Sequence, residues 1–187
     1  MAVFAIGLGW IVFRISPKAS LGSYCAFCDP KVQESQVIWE ESLVQVLYTY
    51  KPIFPGHCLV IPKRHVERFE DLSKEEMAQM GVMIQKVHLA VQEVFQTSAY
   101  FLLQKNGVEV GQTVPHVHIH YVPRKEGDKS FLSMMTHFCL APIKSALSSS
   151  DMAPIIESLR NSMHEKKTSE LSSWQQLQEP PLLQIDE

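Results

Sequence analysis

Gly111-Gln112-Thr113-Val114-Pro115-His116-Val117-His118-Ile119-His120-Tyr121-Val122-Pro123-Arg124 is the stretch whose reading decides the rest of the chain. Alternate side chains of a strand share a face. His116, His118 and His120 would therefore line one side at intervals of about 6.6 Å, while Val117, Ile119 and Tyr121 pack on the other. Three imidazoles on one face are not incidental. Each buried ring nitrogen needs a partner, and joint protonation sets like charges side by side, so the trio calls for a metal, an anion or a hydrogen-bond relay.

Working outward, period-two alternation recurs in Val37-Ile38-Trp39 and in Leu43 to Tyr48, separated by the acidic turn Glu40-Glu41-Ser42, which predicts a hairpin. Pro52 and Pro55-Gly56 interrupt the pattern, and His57-Cys58-Leu59-Val60-Ile61 resumes it as a buried strand stopped by Pro62. Ser73 followed by Glu76 forms a capping box. Met77, Met80, Ile84, Val87, Val91, Val94 and Phe95 then recur at helical spacing to about residue 96. Further strands are expected at Tyr100 to Gln104 and Val114 to Val122. The predicted fold is α+β: an antiparallel five-stranded meander with one long helix packed across it and a C-terminal helix from Met152 to Met163. Residues 1–20 are expected to be an N-terminal extension, 21–130 the folded domain, and 131–187 the C-terminal helix and a low-complexity tail.

Composition narrows the function classes. The 187 residues, 45% of them hydrophobic, supply one core and exclude wholesale disorder. A formal charge of -3 gives no global field for nucleic acid or anionic membrane, so any polyanion site must be local. The apolar run from Ala2 to Phe13 is shorter than the ~20 residues a spanning helix needs, and no membrane anchor is expected. Four cysteines, Cys25, Cys28, Cys58 and Cys139, are too few for a disulfide scaffold, and a reducing, cytoplasmic compartment is the expectation.

The neighbours of the trio favour an anion. Asn106-Gly107 and Gly111-Gln112-Thr113 supply a tight loop whose amides and short polar side chains can approach phosphate oxygens. Lys63, Arg64 and Arg68 follow one histidine-bearing strand, and Arg124, Lys125 and Lys129 follow the other. Separately, both thiolates of Cys25-Ala26-Phe27-Cys28 can reach one tetrahedral ion, which would need two more ligands; two free thiols are the alternative.

The His-x-His-x-His segment after Gly-Gln-Thr-Val, paired with Pro55-Gly56-His57 before an apolar strand, resembles the histidine triad superfamily of nucleotide hydrolases and transferases. Phe54 to Val60, Val66 to Leu72 and Gly111 to Arg124 look most like its fragile histidine triad branch, the diadenosine polyphosphate hydrolases, over about residues 25–129. The resemblance implies nucleotidyl transfer through His118, which would attack the α-phosphorus, form a nucleotidyl phosphoramidate and pass it to water with release of AMP. His120, His57 and His116 would orient and stabilise. Gln112, Thr113 and Gly111 would surround the phosphate, and Leu59 would contact the nucleoside. Thr49 stands where the branch commonly has an Asn that holds the ribose, and Asn106 is a second candidate for a ribose hydroxyl.

The resemblance also implies a structural zinc on Cys25, Cys28, His65 and His116; a zinc-bound His116 leaves the catalytic relay. No cofactor is expected for the covalent step, although a divalent cation would accompany the polyphosphate. A homodimer joined at sheet edges is expected, with a dinucleoside polyphosphate as partner molecule and neither nucleic acid nor membrane. Two rivals stand beside this reading: a phosphoramidase or nucleotidyltransferase using the same histidine, and a nucleotide sensor or scaffold without turnover.

Overall fold

The structure, a computed structural model, describes residues 24–127, 135–137, 140, 143 and 145–178, with backbone alone for 166–178. Residues 1–20, Lys129 and Cys139 lie outside the described residues. Five strands, β1 (Val37–Glu40), β2 (Val44–Tyr48), β3 (Cys58–Pro62), β4 (Ala99–Gln104) and β5 (Ile119–Arg124), form one sheet. All its pairings are antiparallel. Helices α1 (Pro30–Gln36), α2 (Lys74–Phe95) and α3 (Ser149–Gln178) accompany them among the described residues.

The α+β class and the five antiparallel strands are as the sequence predicts. The meander is corrected in one respect: the order is β1-β2-β3-β5-β4, so β5 inserts between β3 and β4. The reason lies in α2, whose 22 residues carry the chain across the sheet. The chain re-enters at the far edge and returns through β5 to close the gap.

Alternation along the strands sorts the two faces. Val44, Val46, Tyr48, Cys58, Val60 and Tyr121 pack with Met80, Met83, Val87 and Val91 of α2 and with Met152, Ile156 and Leu159 of α3. Leu47, Leu59 and Ile61 point the other way and meet Cys25 and Phe27, with Val32, Val37 and Val114 packed against them. Because Leu59 faces His120 across the β3–β5 ladder, that histidine shares the second face. Helices α2 and α3 thus close one side of the sheet, and the other carries the histidines.

Three local readings change. The capping box of α2 forms as the sequence indicates, with Ser73 Oγ accepting from the Glu76 amide at 3.1 Å and Glu76 accepting from the Ser73 amide at 2.8 Å. Met77, however, faces solvent, and Met83 and Ala90 take core positions. Helix α1 has little apolar periodicity to betray it; its signal is the cap alone, Asp29 accepting from the Lys31 amide ahead of Pro30 at the first turn. Helix α3 begins three residues before Met152 and runs fifteen beyond Met163, with Pro154 tolerated near its start.

Candidate active site

The predicted strand over 114–122 starts only at Ile119. Pro115 has no amide hydrogen to give a ladder, and the residues after it bond elsewhere: the His116 amide to the Val114 carbonyl at 2.8 Å and the Val117 amide to the Val66 carbonyl at 2.6 Å. The three histidines therefore do not stand in a row. His118 and His120 remain neighbours, with ring centroids 5.0 Å apart, and both line a cavity of about 400 Å³ together with His57. His116 does not line that cavity; its ring turns to Cys25, Cys28 and His65.

The hydrogen bonds fix the tautomers of the three cavity rings, because a carbonyl only accepts and an amide only donates. The Ile53 amide donates to His57 Nδ1 at 3.2 Å, so the proton of His57 sits on Nε2 and is given to His120 Nδ1 at 3.0 Å. His120 consequently carries its own proton on Nε2. His118 donates from Nδ1 to the His116 carbonyl at 2.7 Å, which leaves a lone pair on Nε2. One ring in the cavity thus has an unprotonated nitrogen, and its neighbour carries a proton to donate. Phe27 braces the His118 ring edge-on at a centroid distance of 5.2 Å.

Burial keeps these rings neutral. It is the chief cause lowering His57 to about 3 and His120 to about 2, with the charge of His118 adding to both, and it lowers His118 as well. All three rings are thereby neutral across the neutral pH range.

His116 donates from Nε2 to the Pro62 carbonyl at 2.9 Å, so its Nδ1 lone pair faces sulfur, 3.4 Å from Cys25 Sγ and 3.6 Å from Cys28 Sγ. His65 Nδ1 lies 3.5 Å from Cys28 Sγ, and the four donor atoms fall within 4.8 Å of one another. A tetrahedral ion with bonds of about 2.3 Å to sulfur and 2.0–2.1 Å to nitrogen has S···N edges of about 3.6 Å, so the four side chains fit one such ion. Burial, then the neighbouring Cys25, pushes the Cys28 thiol up to about 11.

The substrate residues named from sequence divide. Gly111, Thr113, Thr49 and Leu59 line the cavity with the histidines. Gln112 does not: its carboxamide accepts from the Gly107 amide at 2.7 Å and donates to the Glu67 and Val114 carbonyls, bracing the loop. Asn106 likewise bonds the Phe69 amide and Glu70 at 2.9 and 2.7 Å, which removes it from the cavity. The basic clusters are also used elsewhere, Lys63 with Glu40, Arg64 with Glu76 and Arg68 with Glu70. The lysines in the cavity wall are Lys51 and Lys105, neither singled out by sequence. Lys105 follows the end of β4 directly, a position that only the strand pairing brings beside β5.

With this geometry in hand the comparisons are specific. The HIT domain family model matches residues 30–127. The chain belongs to the HIT family. It is 44% identical over 96 residues to the bis(5'-nucleosyl)-tetraphosphatase (asymmetrical) of Schizosaccharomyces pombe, covering 51% of this chain and 53% of that one. It is 39% identical over 97 residues to the bis(5'-adenosyl)-triphosphatase of Dictyostelium discoideum, covering 52% of this chain and 65% of that one. The chain thus spans between about half and two thirds of these relatives' lengths. Among solved structures, a zinc-bound histidine triad family protein from Mycobacterium smegmatis superposes with a TM-score of 0.61 at 27% identity, covering 78% of this chain and 96% of that one. Among the described residues no helix is long and apolar enough to cross a membrane.

The buried neutral rings set a pH limit on the fold. The unfolded pKa of His57 is about 6.5 and its folded value about 3, so between those values the unfolded chain holds the proton more tightly. Stability from the neutral ring is complete above about pH 6.5 and is lost as pH falls through that window, by on the order of 2 kcal/mol at pH 5. Urea midpoints should decline steadily from pH 7 to pH 5; midpoints constant over that range would show that His57 is not held neutral.

Proposed function

We propose that this HIT protein hydrolyses dinucleoside polyphosphates of the diadenosine tri- or tetraphosphate type. His118 Nε2 attacks the α-phosphorus, a nucleotidyl-histidine forms as the phosphoanhydride breaks, and water releases AMP. The observation that carries the reading is that His118 lines the cavity with its Nδ1 proton held by the His116 carbonyl, which leaves Nε2 bare. His120 Nε2–H, set by the relay from Ile53 through His57, is placed to donate to phosphate oxygen as charge develops there. Thr113 and Gly111 line the same cavity. Relatives named as a tetraphosphatase and a triphosphatase support this substrate class. The cavity wall contains lysines and no acidic side chain among its described residues, which favours a polyanionic leaving group over a neutral amine. Replacing His118 by Ala should lower kcat on diadenosine tetraphosphate by about 10⁴ or more with an unchanged circular dichroism spectrum. An acid-quenched wild-type reaction should show a nucleotidyl adduct by intact mass; a near-normal rate in the variant removes His118 as nucleophile.

Cys25, Cys28, His65 and His116 are proposed to hold a structural zinc, supported by the fit of their donor atoms and by the zinc-bound Mycobacterium smegmatis relative. Bound zinc would tie the residue 25–28 turn to the segment before β5. Purified protein should then contain about one equivalent of zinc, and Cys28→Ser should lose it and melt at lower temperature. Less than a tenth of an equivalent in the wild type would dispose of the site.

A homodimer through β4 is proposed on the exposure of that edge strand, where Tyr100 and Leu102 face solvent at 41% and 39%. Sedimentation should give a mass near twice 21.3 kDa, falling to the single-chain value for Leu102→Lys. A wild-type protein sedimenting as one chain would exclude it.

A further inference from the structure

The cavity that contains His118 and His120 has positive charge in its wall, from Lys51 and Lys105, and no carboxylate among its described residues. Strand pairing locates Lys105. Leu103 stands opposite His120 and Gln104 opposite Ile119, so Lys105 comes next in register beside His118, and by alternation it shares the face of Leu103 and His120. Its ammonium donates to the carbonyl of Gly111, a second residue of the wall, at 3.4 Å. The charge is felt at the rings, because Lys105 is among the causes lowering His120, after burial and the charges of His118 and His57.

No carboxylate neutralises that charge. Lys63, Arg64 and Arg68 each pair with a glutamate, whereas Lys105 makes no ion pair among the described residues and bonds only a neutral carbonyl. A half-buried cation held in this way lacks the anion that would offset its desolvation. A phosphate chain entering the cavity is such an anion. In-line displacement leaves the electron pair of the broken P–O bond on the departing phosphate oxygen, so negative charge grows along the chain as the bond from His118 Nε2 to phosphorus forms. An ammonium already in place stabilises that charge without recruitment from solution. A magnesium ion at a phosphate chain is held by one or two carboxylates besides the phosphate oxygens, and at this wall it would meet lysines instead.

We propose that Lys105 brings to the phosphate chain the positive charge that a divalent cation would otherwise supply, so that the form of substrate turned over is the metal-free polyphosphate. The inference rests on the hydrolase reading of the cavity and makes Lys105 a determinant of which ionic form of the substrate is accepted.

The test measures kcat/KM on diadenosine tetraphosphate for wild type, Lys105→Met and Lys105→Arg, each without added divalent cation and with about 5 mM Mg²⁺. Wild type should change by no more than about twofold between the two conditions. Without Mg²⁺, Lys105→Met should fall by about tenfold or more, and the ion should raise it again by at least about fivefold, a rescue that a merely structural role would not give. Lys105→Arg should keep the wild-type indifference to Mg²⁺. Wild type stimulated beyond that limit, Lys105→Met as fast as wild type without the ion, or an equal deficit of Lys105→Met under both conditions overturns the proposal. Should Lys105→Met fail to fold, Lys105→Gln takes its place. If wild type hydrolyses the substrate under neither condition, the hydrolase reading fails separately, and calorimetric binding of ATP with and without Mg²⁺ then decides. Lys105→Met should weaken binding of free ATP by about tenfold and of the magnesium complex by less; equal weakening of both, or none, overturns the proposal.

Discussion

The bond from His118 Nδ1–H to the His116 carbonyl, 2.7 Å long and buried, determines which nitrogen of that ring is bare. Without it the imidazole could place its proton on either nitrogen, and the lone pair would face the cavity only part of the time. A carbonyl cannot donate, so the tautomer is set by backbone geometry alone. The same logic runs through the second pair of rings. The Ile53 amide at His57 Nδ1 and the His57 bond to His120 leave a proton on the outer nitrogen of His120. A lone pair and a proton are thus presented side by side.

That arrangement depends on the segment before β5 leaving the sheet. Pro115 ends the ladder, and His116 turns its side chain toward Cys25, Cys28 and His65 while its carbonyl turns toward His118. Phe27, between the two cysteines, meets the rings of both His116 and His118. The cysteine turn and the proposed nucleophile are consequently mechanical neighbours. The cysteine–histidine cluster is outside the cavity, yet Phe27 beside it lines one of the cavity's walls.

Much of this was legible in the chain itself. Alternation located β2, β3 and β4 nearly to the residue, because a strand buried on both faces or one imposes a period that loops do not mimic. Ser73 and Glu76 marked the start of α2 by reciprocal bonding that needs no tertiary partner. Helix α1 escaped because only its cap speaks for it, and the strand order escaped because alternation is blind to which edge a strand joins. Gln112 and Asn106 show the limit for polar loop residues, since a carboxamide that could bind phosphate or ribose can equally well fasten its own loop.

What the sequence by itself determined was the set of chemical groups: three alternating histidines, a fourth after Pro55-Gly56, and a cysteine pair with the spacing of a metal knuckle. Tertiary structure alone decided how those groups are divided. His116 goes to sulfur, His118 and His120 go to the cavity with His57, and Lys105 and Gln36 arrive there from segments with no motif. The physical reason is that residue spacing fixes side-chain direction only while the backbone stays regular. Where Pro115 breaks the ladder, the bonds made to Val66, Pro62 and Val114 take over that choice.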